Sequence, residues 1–244
     1  MTYKNAPIQE ALFDIQIDSL GRSGLSHLTS LHEKVKREFP KVKKKIGFRG
    51  QFSIEADSVI SHEGSAQPTG VIFLSEDERR QVQLRLDGFT FNILKPYNSW
   101  DEHFDKALEL WDLYCKAVQP NNIIRIATRF VNKIEVPIVV GKELKFDEYF
   151  TIIPTIPNGL PDVFLNYFMQ LHFSVDVNTV IILTQTTEPF ADGHQPFILD
   201  IDTIQKVDSK IDRGNLKSRF EALREHKNNF FEKAITDKTR QLFS

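Results

Sequence analysis

Residues 82–93, Val82-Gln83-Leu84-Arg85-Leu86-Asp87-Gly88-Phe89-Thr90-Phe91-Asn92-Ile93, alternate apolar and polar side chains on both sides of an Asp-Gly pair. Alternation with period two is the mark of a half-buried strand. Asp-Gly between two such runs signals a hairpin, because the tight turn needs residues that tolerate positive φ. A two-residue Asp87-Gly88 turn pairs Leu86 with Phe89 and puts all six apolar side chains on one face. A single strand bulged at Gly88 is the alternative, since the parity also flips there. Either arrangement gives antiparallel sheet whose apolar face must be covered by another layer.

The flanking sequence supplies that layer. Before the hairpin, Phe13, Ile15 and Ile17 alternate with Asp14, Gln16 and Asp18 as a first strand, which Gly21 and Gly24 break. Leu25, Leu28, Leu31, Val35 and Phe39 then recur at helical spacing up to Pro40, which stops the helix. Gln51–Ala56 and Val71–Leu74 read as short strands, with Pro68 and Gly70 in a polar loop between them. After the hairpin, Ser99 and Glu102 form a capping box for a helix whose stripe is Phe104, Ala107, Leu108, Trp111, Cys115 and Val118.

The same order recurs beyond residue 120. Ile123 to Val136 is a strand with Ile124, Ile126, Phe130, Ile134 and Val136 on one face. A short helix near Leu144–Phe150 and a loop with Pro154, Pro157 and Pro161 follow. Leu165, Tyr167, Met169, Leu171, Phe173 and Val175 form one alternating face, and Val180–Thr186 and Phe197–Ile204 complete a meander. Leu216, Phe220, Leu223, Phe230, Phe231 and Ile235 mark a closing helix, with a new cap at Thr236-Asp237. The expected class is therefore α+β, as two similar strand-helix-meander-helix halves (residues 1–120 and 121–244) packed as one unit. An antiparallel sheet with helices on one face is TATA-binding-protein-like or helix-grip-like in architecture. That likeness says nothing about function.

Composition limits the functional classes. The charge of −2 argues against general attraction to nucleic acid, and the single Cys115 excludes a disulfide framework or a cysteine-based zinc site. Cys115 lies on the apolar stripe and reads as a core thiol. Met1 to Pro7 shows no cationic stretch followed by an apolar run, and no apolar segment approaches the roughly 20 residues of a membrane helix. The expected compartment is the cytoplasm. Twenty phenylalanines favour a core of half-buried strands.

Several segments together resemble a sporadically distributed bacterial family of similar length with no established activity. They are Asn5-x-Pro7-Ile8-x-Glu10-Ala11, Arg85-x-Asp87-Gly88-Phe89-x-Phe91, Pro96-Tyr97-x-x-Trp100, and Arg125-x-x-x-Arg129-Phe130-Val131-Asn132. Leu199-Asp200-Ile201-Asp202 and the run from Phe231-Glu232 to Ile235-Thr236-Asp237 complete the series. The sporadic distribution implies mobile loci, such as phage defence or toxin–antitoxin systems.

Four groups of residues carry candidate chemistry. Arg125, Arg129 and Lys133 lie four apart on the non-core face of one strand, where they suit phosphate or carboxylate recognition or pair with acids such as Asp14 and Asp18. Asp200 and Asp202 share a strand face about 7 Å apart and could hold a hard cation, with His172 and Gln170 on the same face. An exposed polar face is the structural alternative. Tyr97 and Trp100 staple the helix start or line a pocket, and Asn132, on the apolar parity of its strand, must find partners. Lys34, Lys36, Arg37, Lys41, Lys43, Lys44, Lys45 and Arg49 form a basic stretch that would contact nucleic acid or simply solvate a helix C-terminus. Phosphate-loop, nucleophile-elbow and zinc-helix motifs are absent from the sequence. The expectation is thus a non-catalytic binding or accessory protein, with no cofactor, that recognises a protein partner or an anionic ligand. A metal-dependent phosphoryl hydrolase or nuclease and a nucleic-acid-binding protein are the alternatives.

Overall fold

The computed structural model describes residues 3–18, 25–53, 61–139, 143–160, 166–210 and 213–244. Gly21, Gly24, Pro161, Leu165, residues 54–56 of the expected strand Gln51–Ala56 and the side chain of Arg49 lie outside the described residues.

The chain folds as β1 (Ile8–Ile17), α1 (Leu25–Ser30), α2 (His32–Val35), β2 (Lys41–Ser53), β3 (Ser61–Leu74), β4 (Arg80–Arg85), β5 (Gly88–Leu94) and α3 (Trp100–Val118). It continues as β6 (Asn122–Pro137), a single 3-10 turn at Phe146–Glu148, β7 (Phe168–Ser174), β8 (Thr179–Thr187), β9 (His194–Lys210), α4 (Arg213–Ala234) and α5 (Asp237–Gln241). All nine strands join one antiparallel sheet in the order β2-β3-β4-β5-β1-β6-β9-β8-β7. In each half the chain crosses to the far edge and meanders inward, so β5 returns beside β1 and β9 beside β6. The pair β1·β6 makes the sheet continuous across both halves.

The central hairpin forms, with its turn one residue earlier than the sequence suggests. Arg85 pairs with Gly88 and Leu84 with Phe89, so Leu86 and Asp87 are the loop residues. Gly88 belongs to the ladder because a Cβ there would stand 2.3 Å from the carbonyl oxygen of Ile15 on β1. No other residue fits between those strands. Other boundaries shift for equally local reasons. The expected loop at Pro68 and Gly70 is part of β3, where Lys45 pairs with Gly70 and Ile46 with Pro68. Thr69 is left over as a bulge, a position at which a strand tolerates proline. The helix expected over Leu25–Phe39 is divided into α1 and α2 at Leu31, and its successor β2 begins directly after Pro40. A register shift between Ile123 and Arg125 in the β6–β9 ladder accompanies burial of Ile123 rather than Ile124.

Phenylalanine fills the interior. Among the described residues, ten of the twelve largest fully buried side chains are Phe, each worth about 1.5–3 kcal/mol on burial. They divide between two clusters on the helix-covered face. The first gathers Phe13, Phe89, Phe104, Trp111 and Phe220 under α1 and α3, with Phe13 and Trp100 ring centroids 4.9 Å apart. The second gathers Phe150, Phe197, Ile201, Phe231 and Phe243, with Phe150 and Phe197 4.9 Å apart. Cys115 packs against the first cluster, and burial pushes its thiol up to about 12, so it is an inert core group. The described residues include no helix long and apolar enough to cross a membrane.

Candidate functional site

Elements β6, α4 and β9 run through both cores, and β6 and α4 each carry a polar residue at the cavity where the cores meet. On β6, Ile126 and Phe130 belong to the first cluster and Ile134 and Val136 to the second, with Asn132 between them. On α4, Leu216, Phe220 and Leu223 belong to the first and Phe231 and Ala234 to the second. Lys227 falls at the junction, four residues from both Leu223 and Phe231, on the stripe that faces the sheet. The seam between the cores opens as a cavity of about 510 Å³. That is within the range of roughly 300–1,000 Å³ typical of small-ligand sites.

Four segments wall this cavity: Tyr3–Ile8, Lys95–Asp101, Phe130 and Asn132 of β6, and the α4 face from Arg224 to Glu232. Local bonding fixes each wall. Asn5 N donates to the carbonyl of Phe243 at 3.0 Å, and Lys133 N donates to the carbonyl of Pro7 at 2.9 Å. Lys95 N donates to the Gln9 carbonyl at 2.9 Å before the cis Lys95–Pro96 bond. The Ser99 hydroxyl then accepts from Glu102 N at 3.3 Å and starts α3.

Trp100, the first residue of α3, both staples the helix and lines the cavity. Its ring stacks on Phe104 at 5.1 Å, and its Nε1 donates to Glu221 Oε1 at 2.7 Å. The guanidinium of Arg224 covers the same ring at 5.1 Å while pairing with Glu221. Asn132 spends its amide nitrogen on the carbonyls of Leu199 (3.0 Å) and Phe130 (3.3 Å), which leaves its oxygen as a free acceptor among the described residues. Tyr97 rests edge-on against Phe130 at 5.6 Å, its hydroxyl bonded to no described residue, and burial raises its pKa.

The charges in the seam are unequal. The amine of Lys227 stands 4.0 Å from the Phe130 ring centroid and has no carboxylate partner among the described residues. Burial, then the neighbouring Arg224, lower its pKa to about 8, against an opposing pull from Glu232. Glu232 is engaged elsewhere, accepting from the Tyr3 hydroxyl at 2.8 Å and from Arg240 Nε at 3.0 Å. Burial and that carboxylate push Tyr3 up to about 12. Lys4 and Lys95 are exposed on the rim without ion pairs among the described residues. Asp101, also on the rim, lies 3.8 Å from Arg224. The site thus offers aromatic walls, the unengaged amide oxygen of Asn132 and an excess of cations.

Strand alternation separates the sequence-predicted residues into two groups. Tyr97, Trp100 and Asn132 meet at the cavity, whereas Arg125, Arg129 and Lys133 point to the opposite, helix-free face. There each has an acid. Arg125 reaches Asp14 at 2.8 Å, Arg129 grips Asp200 through Nε and Nη2 at 2.6–3.0 Å, and Lys133 meets Glu188 at 2.9 Å. Burial acts to raise the Asp14 pKa, but Arg85, the Thr90 hydroxyl and Arg125 outweigh it and hold the carboxyl below its usual range. Asp18 bonds the backbone and side-chain nitrogens of Asn122 instead of a cation.

Asp200 and Asp202, on the same strand face, are engaged differently. Arg129 occupies both oxygens of Asp200. His172 shares the face of Asp202 but lies across Ile182 on β8, two strand spacings or about 10 Å away. Among the described residues no cluster of three His, Cys, Asp or Glu is placed to hold a metal ion. Burial, only partly offset by Arg129, raises Asp202 to about 6.

The basic stretch differs from the expected helix end. Lys41, Lys43 and Lys45 alternate on the edge strand β2, and Lys41 and Lys43 pair with Glu78 at 3.5 and 3.1 Å. Lys45 donates to Gln83 at 2.8 Å and Lys36 to Glu33 at 2.6 Å. Lys34, Arg37 and Lys44 remain exposed and are not joined to the cavity.

A scan against protein-family models returns no match for the chain, and a search of curated proteins returns none either.

Proposed function

We propose that the protein is a binding protein for a small anionic ligand with a planar face, held in the seam between the two cores. One observation carries this reading: the Lys227 amine stands without a carboxylate in a cavity walled by Tyr97, Trp100 and Phe130. An isolated cation in partly desolvated surroundings is unfavourable unless an anion completes it. The rings accept a flat group by stacking, and the Asn132 oxygen accepts one hydrogen bond to set its orientation. An accessory role in a mobile bacterial locus, as the family resemblance implies, is compatible with such a ligand sensor.

The test is thermal denaturation with a panel of aromatic carboxylates and phosphates beside their uncharged analogues. A fitting anion at a hundred times its Kd stabilises the native state by about 2.7 kcal/mol. That gain should vanish in Lys227→Met with Lys95→Glu. Equal response to charged and neutral analogues would sink the reading.

We also infer that the two halves arose by duplication and that the sheet is TATA-binding-protein-like or helix-grip-like. The support is connectivity: β5 rejoins β1 as β9 rejoins β6. Superposing β1-β5-β4 on β6-β9-β8 should then bring α3 onto α4, and a mismatch of those helices would remove the idea.

A further inference from the structure

We propose that Lys227 is an imine-forming lysine, whose amine condenses with the carbonyl group of an aldehyde or ketone that also carries an acid group. The inference rests on the anionic-ligand reading and adds the reactive group of that ligand. It stands first on placement. Lys227 lies in the C-terminal half of α4, on the stripe that packs on the sheet, and its side chain lines the seam cavity. Its amine rests against the face of Phe130, and no described carboxylate is close enough to fix it as a structural ion.

The charged and titratable groups around it come from every wall. Arg224 and Glu232 share its helix, Lys95, Tyr97 and Asp101 come from the loop and the start of α3, and Tyr3 and Lys4 come from the N-terminal segment. Glu232 is held by Tyr3 and Arg240, and Arg224 by Glu221. Asp101 lies beside Arg224. Each described acid is therefore engaged away from the lysine. The lowered pKa of about 8 follows from this setting and gives a substantial neutral fraction near neutral pH.

The step balances without a redox partner. The neutral amine attacks the carbonyl carbon, forming a C–N bond and a carbinolamine. Loss of the carbonyl oxygen with the two amine hydrogens as water then leaves the C=N bond. The acid group of the ligand is placed to meet the rim cations Lys4, Lys95 and Arg224.

Pyridoxal 5′-phosphate, a flat phosphorylated aldehyde, serves as the probe on the full chain near neutral pH. Borohydride reduces any imine to a stable secondary amine, which peptide mass spectrometry locates. Pyridoxamine 5′-phosphate, with the same ring and phosphate but no carbonyl, is titrated in parallel as a measure of binding alone. The expected result is an adduct at Lys227 that forms on the order of tenfold or more faster than at exposed lysines such as Lys44 and Lys95, given its larger neutral fraction. Pyridoxamine 5′-phosphate should slow it, and Lys227→Met should lack it. The pH profile of the wild-type adduct, rising to a half-maximum near pH 8, needs no variant. Binding of pyridoxamine 5′-phosphate without a preferred Lys227 adduct would overturn the imine while leaving the binding reading intact. Neither binding nor a preferred adduct would overturn both.

Discussion

Replacing Lys227 with Met should make the free protein more stable, and the size of the gain should depend on pH. The lysine pKa falls from 10.5 to about 8 in the native state. A shift of that size corresponds to about 3 kcal/mol, each pH unit being worth about 1.4 kcal/mol. The cation's contact with Phe130 returns about 0.5–2 kcal/mol, and partial exposure screens the remainder. A net gain of roughly 1–2 kcal/mol is therefore expected for Met, which keeps an unbranched stem of similar volume. For a chain of this length that raises Tm by about 2–8 °C. Because the native pKa lies below the unfolded one, the unfolded chain binds more protons between about pH 8 and 10.5. The penalty is complete below pH 8 and is relieved as pH rises through that window. Urea unfolding of both proteins at pH 7, 8.5 and 10 should show a gap that narrows at each step. A less stable variant, or a gap unchanged between pH 7 and pH 10, would refute the assignment of Lys227 as an uncompensated cation.

Asp14→Asn should cost about 2–3 kcal/mol by chemical denaturation, since Arg85 is nearly buried but keeps Asp87 at 3.0 Å. As the Asp14 pKa is depressed, its contribution is present above the unfolded value of about 3.9 and lost as pH falls below it, so wild type and variant should converge in acid. Gly88→Ala should cost at least ~2 kcal/mol, because its Cβ would meet the Ile15 carbonyl at 2.3 Å. A loss below ~0.5 kcal/mol would mean that β1 and β5 can separate there. Asp202→Asn and Asp200→Asn should differ in sign at neutral pH. Asp200→Asn removes a bidentate partner of Arg129 and costs about 1–2 kcal/mol. Asp202 carries a raised pKa of about 6, a penalty that appears as pH rises from about 4 to 6. Its Asn variant should gain roughly 1 kcal/mol at pH 7, after allowance for screening, and nothing near pH 4.

The architecture was legible where periodicity was strong. Alternation located β1, β4, β5, β6 and β8, and the stripe from Phe104 to Val118 located α3. The long hairpin of β2 and β3 was hidden because Pro68 and Gly70 read as loop residues, although the chain carries them at a bulge and a close approach. Its lysine-rich start read as a helix end because charge runs carry no period. The turn at Gly88 slipped by one because the decisive clash is with Ile15, a partner seventy residues distant in sequence that local turn chemistry does not register. Of the cavity, Tyr97, Trp100 and Asn132 were visible as polar or aromatic residues at unusual positions. Lys227 was missed, yet its signal was present. Leu216, Phe220, Leu223, Lys227 and Phe231 form one stripe at spacings of four and three, and the lysine stands where an apolar residue is due.

That misplaced lysine and Asn132 have the same explanation. A sequence that specifies one fold normally keeps its buried faces apolar, and departures concentrate where function requires them. On the helix-free face Asp14, Asp200 and Lys133 each have an ionic partner, while Asp202, with none among the described residues, takes a raised pKa. On the helix-covered face, which also buries Thr128, Gln185 and Thr203 outside the cavity, Asn132 and Lys227 fall on facing elements between the two Phe-rich cores. Asn132 is satisfied on its donor side only, and Lys227 has the Phe130 ring but no carboxylate partner among the described residues. Asn132 and Lys227 meet at one cavity, where apolar residues of similar size would avoid the cost of burying polar groups. They fit a seam kept open for a ligand, with the missing stability restored when an anion binds.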